Sequence, residues 1–246
     1  MSLLEKYPKS RPKVSDELLK AHYENYKINR NGQSAATGIS SKMERWMHHK
    51  TASDRKELDN PKTLEIGAGT LNHLEFEKSN IYDVIEPFKE LYENSKYLNS
   101  ISNFYNDISD IPNEKKYDRI ISIAVFEHLT NLPYIIAKSC ELLESDGNLR
   151  VAIPDEGGLL WYLGWKFTTG IEFKLKYKLD YGELMRYEHV NTSKEISELL
   201  KYFFEEIDSS FFGLSSYFCF YKFFSCKKPK MDIAKNYLNQ LKNKSS

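Results

Sequence analysis

The sequence predicts an α/β fold. A doubly wound, mostly parallel sheet carries a reversed C-terminal edge hairpin, with helices at the N-terminus and a helical insert before the hairpin. Three observations lead there. Short apolar runs at 63–66, 81–85, 119–123 and 148–153 alternate with loop signals or helical stretches, the pattern of parallel strands joined by crossovers. A glycine-rich turn follows the first run directly. The last third holds two aromatic-rich runs, 202–207 and 217–225, around Gly213, which suit an antiparallel hairpin better than another crossover.

Two helices precede any strand. In 15–29, Leu18, Leu19, Tyr23 and Tyr26 recur at helical spacing behind a Ser15 cap, and Asn31, Gly32 and Gly38 break the pattern. In 41–51, Met43, Trp46 and Met47 share one side. The strands begin after Pro61, with a weaker third at 102–105. A helix at 134–143 and the Ser145-Asp146-Gly147 turn lead into the fifth, which stops at Pro154. Residues 155–188 are rich in Trp161, Tyr162, Trp165, Phe167, Phe173, Tyr177 and Tyr181, too long and apolar for a connection, and read as an inserted helical pair. The lysine-rich stretch 227–246 reads as a solvated helix. The whole chain, 1–246, is expected to be one domain: a helical cap to residue 60, a ligand-binding core over 61–154, an insert over 155–191, and then the last helix, hairpin and basic tail.

Composition excludes several classes. Thirty-five basic residues balance thirty-five acidic ones, so no net field draws in a polyanion, and there is no strong nucleic-acid signal beyond what a local patch could supply. A charged start and the lack of a long apolar run predict no secretory signal, no transmembrane segment and a cytoplasmic location. Cys140, Cys219 and Cys226 are odd in number without a CxxC pair, which predicts reduced core thiols. His48 and His49 adjoin on a helix without companions at ligand spacing, and no metal site is expected.

Chemistry concentrates in Glu65-Ile66-Gly67-Ala68-Gly69. Gly67 and Gly69 let the backbone approach a ligand where a Cβ would collide. Glu65 lies two residues before Gly67, and Glu86 closes the next strand, where a carboxylate can accept hydrogen bonds from a ribose diol. A dinucleotide fingerprint would place a third Gly or Ala at 72, and the chain has Asn72.

Leu64-Glu65-Ile66-Gly67-Ala68-Gly69-Thr70 resembles the first motif of class I S-adenosylmethionine (SAM)-dependent methyltransferases, Rossmann-like enzymes. Val84-Ile85-Glu86-Pro87 and Tyr105-Asn106-Asp107-Ile108 are similar to that family's second and third strand ends. The strand 117–123 with Ala124-Val125-Phe126-Glu127-His128-Leu129 resembles the small-molecule members typified by the ubiquinone-biosynthesis enzymes. Leu71 departs from the pattern, since many members carry a third glycine there. The resemblance implies SAM as donor and S-adenosylhomocysteine as product. Glu65, Gly67, Ala68 and Gly69 would form the donor loop, Glu86 would hold the ribose, Asp107 the adenine amino group, and Ile108 and Ile123 would line the site.

Methyl transfer from a sulfonium is an in-line displacement, served mainly by alignment in a water-poor site. A hydroxyl or amine acceptor benefits from a base, and Glu127, His128, Asp155 and His189 stand at the expected strand ends, with His128 and His189 the catalytic candidates. Tyr187-Glu188-His189-Val190-Asn191-Thr192 resembles a segment of polysaccharide-associated members that brings a histidine to the acceptor. That analogy implies a small-molecule acceptor methylated on oxygen, such as a sugar, a nucleotide-linked sugar or another surface-polysaccharide precursor. Competing readings are an RNA or protein methyltransferase, a SAM-binding module without chemistry, and a nicotinamide-dependent oxidoreductase.

Overall fold

The computed structural model describes residues 3–30, 38–56, 60–77, 79 and 81–245. Its strands are β1 (Lys62–Ile66), β2 (Ile81–Ile85), β3 (Asn103–Tyr105), β4 (Tyr117–Ile123), β5 (Leu143–Pro154), β6 (Phe204–Ser215) and β7 (Phe218–Pro229). They form one seven-stranded sheet in the order β3-β2-β1-β4-β5-β7-β6. The first five strands pair in parallel, while β7 runs antiparallel to both β5 and β6. Strand order reverses between β1 and β4, and such a switch opens a crevice at the carboxyl ends of the strands.

Helices α1 (Asp16–Arg30) and α2 (Gly38–Thr51) precede the sheet. Ser15 caps α1, its Oγ accepting the Leu18 amide at 3.2 Å. Asn31 and Gly32 lie outside the described residues, and Gly38 opens α2 instead of closing α1. Helix α3 (Leu132–Leu142) joins β4 to β5. The Ser145-Asp146-Gly147 turn becomes a bulge within β5, because Tyr117 and Arg119 pair with Leu143 and Asn148. Between β5 and β6 come α4 (Leu159–Phe167), α5 (Thr169–Tyr177), α6 (Tyr181–Glu188) and α7 (Ser193–Phe203), so the expected helical pair is a run of three followed by the last crossover helix. A reciprocal cap starts α7: Thr192 Oγ1 accepts the Glu195 amide, and Glu195 Oε2 accepts the Thr192 amide.

One sheet face buries Leu64, Ile66, Ile120, Leu149 and Val151 against Ile136 of α3, Leu199 and Phe203 of α7, and Leu238 of α8 (Met231–Ser245). Helix α8 is therefore more than a solvated tail. Ala234, Tyr237 and Leu238 are buried, while Lys235 and Lys242 are exposed to water. The other face packs Met47 of α2 on Ala152 and Phe223, and Leu71, Tyr82, Val84 and Ile121 on one another. Phe173 and Leu184 of the insert meet Leu18 and Ala21 of α1, so the N-terminal helix and the insert share a separate small core.

A buried ionic knot fastens α2 to the sheet. Arg119 is fully buried and grips both oxygens of Glu77, at 2.8 and 3.0 Å, while its Nε donates to Asp54 at 3.1 Å. Arg150 donates to the Thr51 carbonyl at 2.8 Å and the Lys50 carbonyl at 2.7 Å, satisfying the end of α2. Burial opposes the Glu77 charge, but hydrogen bonds from His73 and Arg119 overcome it and hold the carboxyl at about 2. His48 is buried against His73, with Nδ1 atoms 2.9 Å apart; burial and that neighbour push it down to about 3, a neutral scaffold histidine. The three cysteines are buried and free. No helix of the described residues is long and apolar enough to cross a membrane.

Candidate active site

The turn after β1 builds the floor of the crevice. Gly67 sits at φ 73° with its amide donating to the Ile85 carbonyl at 2.8 Å. A Cβ there would lie 2.4 Å from Val125 Cγ2, so glycine is required by conformation and by packing alike. Gly69, at φ 51°, would meet nothing within 4 Å, because it faces the open crevice. Leu71 adopts φ 64° while fully buried, a left-handed conformation in a non-glycine residue where the related motif often has glycine. The chain then makes only a short 3-10 turn, Asn72–Glu75, before β2. Among the described residues no long helix points its N-terminus into the crevice between β1 and β2, and a dinucleotide pyrophosphate would lack its usual seat there.

Glu86 lies at the end of β2 and is buried. Its Oε2 accepts the Gly69 amide at 2.9 Å and its Oε1 accepts the Phe88 amide at 3.0 Å. Two charge-assisted bonds fix the carboxylate against the glycine turn, and each oxygen keeps a lone pair for a further donor. Glu65 is buried beneath the turn and accepts from the Tyr82 hydroxyl at 2.8 Å; burial, only partly offset by His73 and Tyr82, raises its carboxyl to about 7. Asp107 is exposed at the end of β3 and caps a short turn, its Oδ1 accepting the Ser109 amide at 2.8 Å. Ile108 beside it is buried. Ile123, at the end of β4, packs against the cluster of Met47, Ala152 and Phe223.

Beyond β4 the chain turns sharply through Ala124 at φ 53° into Val125, which covers Gly67. Glu127 follows, 1% exposed, and its Oε2 has no hydrogen-bond partner. Burial raises this carboxyl to about 7. His128 Nδ1 lies 3.0 Å from the Glu188 carbonyl, which can only accept, so Nδ1 carries the proton and Nε2 presents a lone pair. Burial first, and His189 second, push His128 down to about 3, so the ring is neutral. His189 Nδ1 lies 2.7 Å from Glu156 Oε2, so Nδ1 donates its hydrogen to that carboxylate. The same Glu156 oxygen accepts from Trp161 Nε1 at 2.7 Å. The two imidazoles stand edge to face, centroids 4.8 Å apart.

This cluster joins three distant stretches of chain. Asn191, fully buried, donates to the Phe126 and Leu129 carbonyls at 2.8 and 2.7 Å and clamps the 126–129 turn to the end of the insert. Arg11 donates to the His128 carbonyl at 3.1 Å and the Tyr187 carbonyl at 2.7 Å, and Lys9 donates to the Val190 carbonyl at 2.8 Å. The N-terminal segment is thus a strap over the back of the site. Asn191 and Arg11 were missed by sequence reasoning, since a lone Asn or Arg carries no signal until its distant carbonyl partners are known. Asp155, one of the sequence-expected bases, is withdrawn from that role: buried, it pairs with Lys222 at 2.7 Å and accepts from the Ser193 hydroxyl.

No family model and no curated protein matches the sequence. Solved structures do resemble it. A SAM-dependent methyltransferase of Thermotoga maritima superposes with a TM-score of 0.52 at 17% identity, over 86% of this chain and 97% of its own. The plantazolicin methyltransferase BpumL, in complex with a triazolic desmethylPZN analogue and S-adenosylhomocysteine, gives a TM-score of 0.59 at 13% identity, over 86% and 93%. The N-methyltransferase NodS of Bradyrhizobium japonicum, with S-adenosylhomocysteine, gives 0.54 at 14% identity, over 86% and 99%. At such identities the likeness speaks for architecture, and the chain has the Rossmann-like methyltransferase fold.

Proposed function

We propose that this protein is a SAM-dependent methyltransferase acting on a small-molecule acceptor. The observation that carries the reading is the Gly67–Glu86 arrangement: a left-handed glycine turn at the sheet's switch point, with a buried carboxylate locked to the Gly69 amide. The open space above Gly69 fits a ligand approaching the backbone, and Glu86 retains acceptor capacity for the two hydroxyls of a ribose. Ala68 continues the turn, Asp107 and Ile108, just after β3, are assigned to the adenine edge by the family resemblance, and Glu65 supports the turn from below. SAM supplies an electrophilic methyl group when bound. The chain's part is to align, to exclude water and to hold the acceptor's reacting group beside Glu127, His128 and His189.

The even charge balance, thirty-five basic residues against thirty-five acidic ones, disfavours a polyanionic RNA partner. We take the acceptor further as a hydroxylated one, a sugar or surface-polysaccharide precursor methylated on oxygen, on the analogy of the 187–192 segment. A second reading, an amine acceptor, is favoured by the N-methyltransferase among the structural neighbours. Calorimetric titration with SAM, S-adenosylhomocysteine and NADH tests the donor. Saturable binding of the first two alone is expected, and binding of NADH alone would overturn the proposal.

A further inference from the structure

Glu127, His128 and His189 each offer a ligand atom, and these atoms lie within 4.8 Å of one another. We infer that the three side chains form a binding site for a divalent first-row transition ion, with zinc as the expected occupant.

The chemistry of the set supports this on several independent counts. Two imidazoles and one carboxylate suit zinc and its neighbours better than magnesium or calcium, which prefer oxygen throughout. The hydrogen bond on each Nδ1 suits the site: the Glu188 carbonyl holds the Nδ1 hydrogen of His128 and the Glu156 carboxylate holds that of His189, so Nε2 is the nitrogen each ring has left for an ion. Outer hydrogen bonds of this kind, to a carbonyl and a carboxylate, orient metal-bound histidines generally. Glu127 is the third count. A carboxylate oxygen that is 1% exposed and bonded to nothing is costly, and a cation is the partner that removes the cost. With bonds of about 2.1 Å, tetrahedral ligand atoms stand roughly 3.4 Å apart, so from separations within 4.8 Å the set must close by up to about 1.4 Å, within reach of side-chain rotations. The His128 side chain is 32% exposed, which gives an ion a way in.

Three protein ligands leave at least one coordination position for water or for an acceptor heteroatom. The site adjoins Val125, which packs over Gly67, so an acceptor oxygen bound to the ion would sit beside the proposed methyl donor. This role rests on the methyltransferase reading, whereas the binding claim stands by itself.

The test uses the untagged full chain, stripped with a chelator. Cobalt(II) is titrated in, followed by absorption in the visible d–d bands, and then displaced with zinc. One equivalent of cobalt with the intense bands of a four- or five-coordinate site is expected. Glu127→Gln and His189→Ala should weaken binding by at least roughly 100-fold, and Glu156→Gln, which removes the charge that His189 Nδ1 and Trp161 Nε1 both donate to, by about 10- to 100-fold. His49→Ala, an exposed histidine elsewhere, should change nothing. Failure to bind, or equal affinity in Glu127→Gln and wild type, overturns the site; Glu127→Gln is close to isosteric and guards against a folding artefact. S-adenosylhomocysteine affinity is measured on the same samples. Its retention without cobalt binding sinks the metal site alone, and its loss with cobalt binding intact sinks the donor reading alone.

Discussion

Replacing Glu86 by Ala removes a side chain with two structural bonds and two proposed ones. The structural pair, from the Gly69 and Phe88 amides, are bonds to a charged acceptor, each worth about 1.5–3 kcal/mol. Gly69 borders open space, so water can take over its amide, and the loss of folding stability should fall near 2–3 kcal/mol rather than the full sum. Donor affinity should suffer more. Two ribose hydroxyls bound to one carboxylate are worth at least about 3 kcal/mol together, and every 1.4 kcal/mol is tenfold, so the dissociation constant for S-adenosylhomocysteine should rise more than about 100-fold. Glu86→Gln keeps the shape and one acceptor oxygen and should fall between. Calorimetric titration gives the affinity, and urea unfolding gives the stability on the same preparations. A folded Glu86→Ala protein that binds S-adenosylhomocysteine within twofold of wild type would refute the assignment of the ribose to this carboxylate.

Glu65, held near 7 against an unfolded value near 4.5, binds its proton more tightly in the folded state, so its contribution is present below about 4.5 and lost as pH rises towards 7. The loss amounts to roughly 3 kcal/mol; Glu127 shifts in the same direction, so Glu65→Gln should remove about half of the slope in urea unfolding between those limits, and an unchanged slope would refute the Glu65 share. Glu77 runs the opposite way: held at about 2, it stabilises the fold above about 4.5, and the gain fades as pH falls through that window. Glu77→Gln leaves the buried Arg119 short of its partner and should cost about 3–5 kcal/mol at neutral pH, read from the urea midpoint. Gly67→Ala should lower the melting temperature through the 2.4 Å clash with Val125 and the left-handed backbone, and Val125→Ala in the same chain should restore part of the loss; no rescue would place the whole effect in the backbone.

What could be read in advance was local. Apolar runs, the glycine turn and the strand-ending acids are properties of a few neighbouring residues, and they sufficed for the sheet, its parallel order, the reversed hairpin and the position of the crevice. Boundaries moved where capping or pairing overrode the pattern, as at Gly38 and in the β5 bulge. The lysines of α8 hid its buried face, because an amphipathic helix of low hydropathy resembles a solvated one until its neighbour is known.

The sequence by itself therefore determined the class of fold and the turn that forms its crevice, since steric limits on φ and the alternation of buried residues act over short distances. Only the tertiary structure decided what faces that crevice. His128 and His189 stand sixty-one positions apart, yet a carbonyl and a carboxylate hold their Nδ1 atoms and the fold brings both rings beside Glu127. Arg11 and Asn191 hold those loops together through backbone carbonyls that every residue possesses, and a partner common to all residues leaves no mark in the sequence.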